Sequence, residues 1–340
     1  GKGLGRKHAM EICFVCTGNA SRSPMAEAIA RSKIEDLGLP WPVFSAGTEG
    51  VDGAPISPKA EIVCGEIGLS LAGRTRQLLK EDLIKPSTLF VALEDEHRDY
   101  LMEHFGVPED RVIVLQDGIT NPRFGDLDAY RSCRDQIVLG VDDLLNHLIK
   151  LEKDRVRLYF VRHAESDLTI REDAIRPLTP KGLRDTRKVT AALQDKGITK
   201  IYSSPYLRAV DTVLDLAETL GLEIVKMNDL RERAVGGWVE DFHAFSQRQW
   251  DDFSHKNPGG ESLAEVQERN IRAVKAIIQD NLGSSVAVGT HGTALSTILN
   301  YFDPTFGYDD FHKIIDKMPY ILCFTFDQDK LVSIMEIEGV

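Results

Sequence analysis

Glu11-Ile12-Cys13-Phe14-Val15-Cys16-Thr17-Gly18-Asn19-Ala20-Ser21-Arg22-Ser23-Pro24 runs from an apolar stretch through a polar, glycine-containing loop to a proline-led helical pattern. Residues 11–15 read as a buried strand, and 24–37 as a helix with Met25, Ala28, Ile29 and Ile34 on its inner side. A strand that feeds directly into a helix is the repeating unit of an α/β domain. The alternation continues outward, with strands expected at 43–45, 88–93 and 111–114 and helices at 58–67, 98–105 and 128–150. That rhythm predicts a parallel, doubly wound sheet. It restarts at 156–161, after the charged segment 151–155, with strands at 200–203 and 285–290 and helices at 183–195, 208–220 and 263–279. The two halves share no motif. The expected fold class is therefore α/β, as two different three-layer domains, each with a mostly parallel central sheet, over 10–152 and 156–340. The linker is short and poor in Gly and Pro, so the two domains are expected to touch.

Composition agrees with this division. A chain of 340 residues is about twice the usual length of one domain. Hydrophobic residues at 42% and charged ones at 28% describe a globular chain and exclude bulk disorder. The 41 Lys and Arg against 53 Asp and Glu leave a net charge of -12, a field that repels nucleic acid and anionic membranes. No apolar run approaches the roughly 18 to 20 residues of a membrane helix, and residues 1–9 are followed by too short an apolar stretch to read as a signal peptide. Five scattered cysteines (Cys13, Cys16, Cys64, Cys133, Cys323) fit a reducing cytoplasm better than a disulfide framework.

The opening stretch also carries chemistry. Five residues separate Cys16 from Arg22, and a loop of that length can wrap its amides around one tetrahedral anion while the helix start adds free N–H groups. Arg22 can grip two phosphate oxygens as a planar fork, and its field favours a thiolate at Cys16. Gly18 permits the tight backbone, Asn19 is suited to bracing the loop from inside, and Ser23 is placed to donate to the sulfur. A lone cysteine at a strand end is more often a buried structural thiol, the reading given to Cys13, Cys64 and Cys323. The complete string at a strand-to-helix junction favours a nucleophile beside a captured phosphate.

This stretch resembles the low-molecular-weight protein tyrosine phosphatase family, which includes bacterial protein-arginine phosphatases and a class of arsenate reductases. The resemblance spans about residues 10–150 and includes Ser45-Ala46-Gly47-Thr48, Arg74-Thr75-Arg76-Gln77-Leu78 and Asn121-Pro122. It implies Cys16 as phosphocysteine nucleophile, Arg22 as phosphate clamp, and Thr17, Gly18, Asn19, Ala20, Ser21 and Ser23 as the cradle. Two departures matter. Asn121 stands where the family has the Asp that serves as general acid, a group worth about 100- to 10,000-fold in rate; Asp117, Asp126 and Asp128 are the nearby carboxylates. Ser21 stands where many relatives carry a second loop cysteine, which weakens an arsenate-reductase reading. Ala20 replaces a bulkier residue at the pocket floor.

The second half offers a different constellation. Phe160-Val161-Arg162-His163-Ala164-Glu165-Ser166 ends a strand in an Arg-His pair, Tyr206-Leu207-Arg208 opens a helix after another strand, and Gly289-Thr290-His291-Gly292 ends a third. Leu230-Arg231-Glu232-Arg233 offers an acid. Each piece alone is weak, because a histidine after an apolar strand is more often structural. Several such groups at the C-terminal ends of separate strands mark the edge where ligands of open α/β sheets collect. Imidazole accepts a phosphoryl group when one ring nitrogen is free and cations surround the phosphate.

These residues resemble the histidine phosphatase superfamily, with its phosphoglycerate-mutase-like fold, over about 156–340. The match includes Arg176-Pro177-Leu178-Thr179-Pro180-Lys181-Gly182 and Gly259-Gly260-Glu261-Ser262. It implies His163 as phosphohistidine nucleophile, Glu232 as proton donor, and Arg162, Arg208 and His291 as holders of the phosphoryl oxygens. Ala164 and Thr169 depart from the usual residues. The expected function is a cytoplasmic, metal- and cofactor-independent phosphatase with two sites, acting on a phosphorylated small molecule or phosphoprotein. The alternatives are a phosphoglycerate-type mutase, or a C-terminal phosphatase whose first domain only senses or docks phosphate. Trp238 and Trp250 are read either as pocket walls or as core.

Overall fold

The computed structural model describes residues 10–340, which divide into two compact units, one through Ile149 and one from Lys150. Residues 1–9, the stretch tested above as a signal peptide, lie outside the described residues.

The first unit runs β1 (Glu11–Cys16), α1 (Arg22–Asp36), β2 (Val43–Gly47), α2 (Pro58–Gly65), β3 (Thr88–Ala92), α3 (Asp95–Phe105), β4 (Val112–Val114) and α4 (Leu127–Asp154). Its four strands form one parallel sheet in the order β2-β1-β3-β4. Successive side chains of a strand point to opposite faces, and β1 uses this to fill two cores. Ile12, Phe14 and Cys16 enter the layer shared with α1, α2 and α4. Cys13 and Val15 enter the layer that holds Leu101 of α3. Both faces are covered, which is why β1 reads as a continuous apolar run.

The second unit runs β5 (Val156–Arg162), α5 (Pro180–Leu193), β6 (Ile198–Ser203), α6 (Leu207–Leu220), β7 (Ile224–Lys226), α7 (Phe242–Asp251), α8 (Leu263–Asp280), β8 (Ser285–Thr290), α9 (Gly292–Phe302), α10 (Tyr308–Ile314), β9 (Tyr320–Asp327) and β10 (Lys330–Glu336). The six strands are ordered β10-β9-β5-β8-β6-β7. β5, β8, β6 and β7 pair in parallel, while β9 and β10 close one side antiparallel. Leu158 and Phe160 pack under α8 and α9, and Tyr159 and Val161 under α5 and α6. Two different three-layer α/β units are thus what the chain forms.

Several elements differ from the sequence expectation. α4 continues to Asp154, so most of the charged segment read as a linker is helix. α3 starts at Asp95, three residues early, because Glu94 and His97 close a capping box ahead of the first apolar repeat. α9 is buried over most of its length and therefore shows no polar face for periodicity to detect. β7, α7, α10, β9 and β10 are not assigned from the sequence pattern. β9 is apolar from Tyr320 to Phe324 because both of its faces are covered.

Candidate active sites

In the first unit the loop after β1 turns at Asn19, whose φ of 50° lies in the left-handed region. Asn is among the few side chains tolerant of that conformation, and here its amide holds the loop together. Oδ1 accepts the Gln77 N–H at 2.8 Å, and Nδ2 donates to Ser23 Oγ at 2.8 Å and Ser45 Oγ at 2.9 Å. Ser23 Oγ therefore accepts from Asn19, and its own proton is left for Cys16 Sγ, 2.8 Å away. The expected brace is present, and Ser23 lies within hydrogen-bond reach of the sulfur. Gly47 lies so close behind the loop that a Cβ there would meet Thr17 O at 2.7 Å and Asn19 N at 2.9 Å.

Arg22 is 2% exposed, and Nη1 is anchored by the Ile119 carbonyl and by Glu94 Oε2, each at 2.8 Å. That anchoring leaves the Nε and Nη2 edge to present the fork. Glu94 and His97 carry no signal in the sequence, where nothing links them to a loop some 75 residues earlier. His97 Nδ1 accepts the Glu94 N–H, so its ring proton lies on Nε2 and goes to Thr17 Oγ1 at 2.9 Å. Burial and the Arg22 charge push His97 down to about 4, which keeps it neutral. Burial raises the thiols of Cys13, Cys64 and Cys133, the last two to about 11 and 12. These are structural cysteines.

Asn121 is exposed, and its Oδ1 accepts the N–H of Arg123. Of the nearby carboxylates, Asp126 Oδ1 accepts the Ala129 N–H and Asp128 pairs with Arg131, while Asp117 is exposed. Ser21 Oγ lies 3.4 Å from the Tyr130 hydroxyl.

The second site is assembled from three adjacent parallel strands. β5 delivers Arg162 and His163, β8 delivers His291, and β6 leads into α6 and Arg208; register pairs Arg162 with Thr290 and Ser203 with Gly289. All end at one edge and line or adjoin a cavity of about 1140 Å³. His163 Nδ1–H donates to the Ala164 carbonyl at 2.8 Å, which leaves the Nε2 lone pair facing Arg208 Nε at 3.3 Å. Burial and the charges of Arg208 and Arg162 hold His163 well below its usual range, so the ring is neutral. The His291 ring lies 5.3 Å from it, centre to centre. Ser204 Oγ accepts the Tyr206 N–H and lies 2.8 Å from His291 Nε2. Nδ1 is buried without a hydrogen-bond partner, as is Arg162 Nε. Buried polar atoms of this kind are rarely left unpaired, and these two share one site with a basic imidazole nitrogen.

Arg162 is held from the other side, because its Nη1 donates to the carbonyls of Ile314, Ile315 and Lys317. Burial pulls it down to about 10, still a cation at neutral pH. Gly292 is required beside it, since a Cβ there would meet Arg162 Nε, Cζ and Nη2 at 2.9 to 3.0 Å. Glu232 lines the same cavity at the start of α9, where Oε1 accepts the N–H of Ala294 and Oε2 that of Thr293. Arg269, which no sequence motif singles out, fixes the backbone of this acid. It donates to the carbonyls of Asp229, Arg231 and Glu232 while paired with Glu261 at 2.8 Å. Trp238 lines the cavity, whereas Trp250 packs on Phe311 in the core. Thr169 bonds Asp167 on the exposed loop.

Residues 158–332 match the histidine phosphatase superfamily, branch 1, and residues 11–156 match low molecular weight phosphotyrosine protein phosphatase. The chain belongs to both families. It is a phosphatase built of two phosphatase domains of unrelated design. The first is similar to the protein-arginine-phosphatase of Bacillus subtilis, 34% identical over 154 residues that cover 43% of this chain and 99% of that protein. The corresponding protein of Geobacillus stearothermophilus is 37% identical over 40% of this chain and 95% of its own length. A low molecular weight protein-tyrosine-phosphatase, PtpB of Staphylococcus haemolyticus, is 33% identical over 40% and 97% respectively. Among the described residues no helix is long and apolar enough to cross a membrane.

Proposed function

We propose that this phosphatase hydrolyses phosphate monoesters through a phosphohistidine at His163, with a second, phosphocysteine-type site at Cys16 of reduced activity. The observation that carries the first half is the His163 tautomer. Nδ1–H is tied to a backbone carbonyl, so Nε2 keeps its lone pair among the buried guanidinium donors of Arg162 and Arg208, with the unpartnered His291 Nδ1 in the same site. Nε2 attacks phosphorus and forms the P–N bond as the P–O ester bond breaks, and Glu232 supplies the proton that the leaving oxygen needs. Water then attacks phosphorus, the P–N bond breaks back to His163, and Glu232 takes the proton of the water. Catalysis here is positioning and charge neutralisation.

At Cys16 the sulfur attacks phosphorus in the same sense, but Asn121 has no proton to give the leaving group. Esters whose leaving oxygen departs as an anion are the substrates this site favours. Phosphoarginine protein, to which the names of the relatives point, releases a guanidine nitrogen that does need a proton, and is therefore the contrasting substrate to assay there. Five free thiols fit a cytoplasmic setting. The test is phosphate release by Cys16→Ser and His163→Ala in the full chain. Loss with His163→Ala alone supports a docking role for the first domain. Loss with Cys16→Ser alone overturns the ranking of the two sites. Interconversion of phosphoglycerates without net phosphate release would point to a mutase.

A further inference from the structure

Arg208 is the cation that the proposed reaction places on the transferring phosphoryl group, yet each of its nitrogens already donates within the protein. Nε faces His163 Nε2 at 3.3 Å, Nη1 donates to the Asp173 carbonyl at 2.6 Å, and Nη2 donates to Asp173 Oδ1 at 3.1 Å. The same carboxylate oxygen accepts from Arg176 Nη1, also at 3.1 Å. One anionic oxygen therefore lies between two guanidinium groups on the wall of the cavity that contains His163. Arg176 is close enough that its charge bears on His163 itself. Asp173 belongs to a strap, 167–176, most of it on the surface, with Leu168 at 66% and Ile175 at 54% exposure. Arg176 Nε and Nη2 donate to the carbonyls of Ile170 and Arg171, and Arg171 lies over the Trp238 ring at 4.6 Å.

A carboxylate and a phosphoryl group make the same demand on an arginine fork. Placed side by side they repel, so the two compete for Arg208, although Nη1 and Nη2 each keep a second N–H. We propose that the Asp173 carboxylate is an internal competitor for the phosphoryl subsite, and that Arg176 is a third phosphoryl-binding guanidinium which substrate gains by displacing it. The inference rests on the reading of the His163 site as phosphoryl-binding. It adds a substrate requirement. A dianionic monoester can draw both guanidinium groups away from Asp173, whereas a monoanionic diester offers less charge for the same displacement. Apparent affinity falls by the fraction of molecules in which the subsite is accessible.

The experiment uses the full chain carrying Cys16→Ser, so that only the second site turns over. It measures hydrolysis of p-nitrophenyl phosphate and its competitive inhibition by inorganic phosphate. Asp173→Asn is expected to lower the inhibition constant of phosphate by about tenfold or more. Arg176→Gln is expected to raise it by about tenfold or more, with Arg176→Lys raised to a value between the parent and the Gln variant. An unchanged or weakened phosphate affinity in Asp173→Asn overturns the competitor and makes Asp173 a positioning residue for Arg208. An unchanged affinity in Arg176→Gln reduces Arg176 to an anchor of the strap. Should the Gln variant melt early, the inhibition constant of Arg176→Lys decides the same question. Failure of the underlying reading looks different, as turnover that His163→Ala does not abolish, and the proposal falls with it.

Discussion

The two phosphate sites use one device, a strand end followed by a helix start, in opposite ways. At Cys16 a single strand, loop and helix supplies the proposed nucleophile, cradle and clamp within eight residues, 16–23. At His163 the same parts come from β5, β6, β8 and the Leu230–Glu232 segment, between residues 162 and 291. A contiguous site is held by its own hydrogen bonds, centred on Asn19. A dispersed one depends on strand register and on remote braces such as Arg269 and the carbonyls that hold Arg162. The acid divides them further, since Glu232 lines the second cavity, whereas Asn121 of the first unit is exposed with its Oδ1 accepting the Arg123 N–H.

The sharpest way to break this comparison is to remove each nucleophile in turn. With Cys16→Ser as background, His163→Ala should lower phosphate release on the order of 10,000-fold or more. Residual turnover above that level would move the chemistry elsewhere. Restoring the missing acid comes next. Asn121→Asp, in a His163→Ala background, should raise turnover at Cys16 by about 100-fold for esters with poor leaving groups. It should do little for p-nitrophenyl phosphate, whose leaving group needs no proton. Equal rates on both substrates before and after the change would mean that the acid argument fails.

A third expectation concerns the loop's dependence on one neutral histidine. His97 sits near 4 when folded and near 6.5 when unfolded, so the unfolded chain binds the extra proton in between. The stability it contributes is full above pH 6.5 and lost as pH falls toward 4, by roughly 3 kcal/mol. Thermal unfolding from pH 7 to pH 4 should show a shallower decline in His97→Gln than in the parent chain. Parallel curves would remove His97 from the loop's support. The smallest effect is expected from Gly292→Ala. A Cβ there must push an Arg162 guanidinium that three carbonyls hold in place. A misplaced clamp should cost about tenfold in kcat/KM at the His163 site, with turnover at Cys16 unaffected. A matching loss at both sites would indicate a global defect instead.

Most of the first site was legible in sequence because its residues are neighbours, and spacing alone states that Cys16 and Arg22 can share an anion. Glu94 and His97 were not, since they reach the loop from β3 and α3 across the sheet. In the second unit the strand-end residues were visible singly, but their convergence required knowing that β5, β8 and β6 are adjacent. The elements missed were those without an alternating pattern, such as the buried α9 and the two-sided β9.

What the sequence determined by itself was two α/β units and the residues proposed as nucleophiles, because apolar periodicity and short-range spacing are local properties. Only the tertiary structure decided the tautomer of His163, the anchoring of Arg22 by Glu94, and the placing of Asp173 on Arg208 and Arg176. Those follow from which groups are buried together, and burial sets both the direction of a proton's preference and the partner a guanidinium must find.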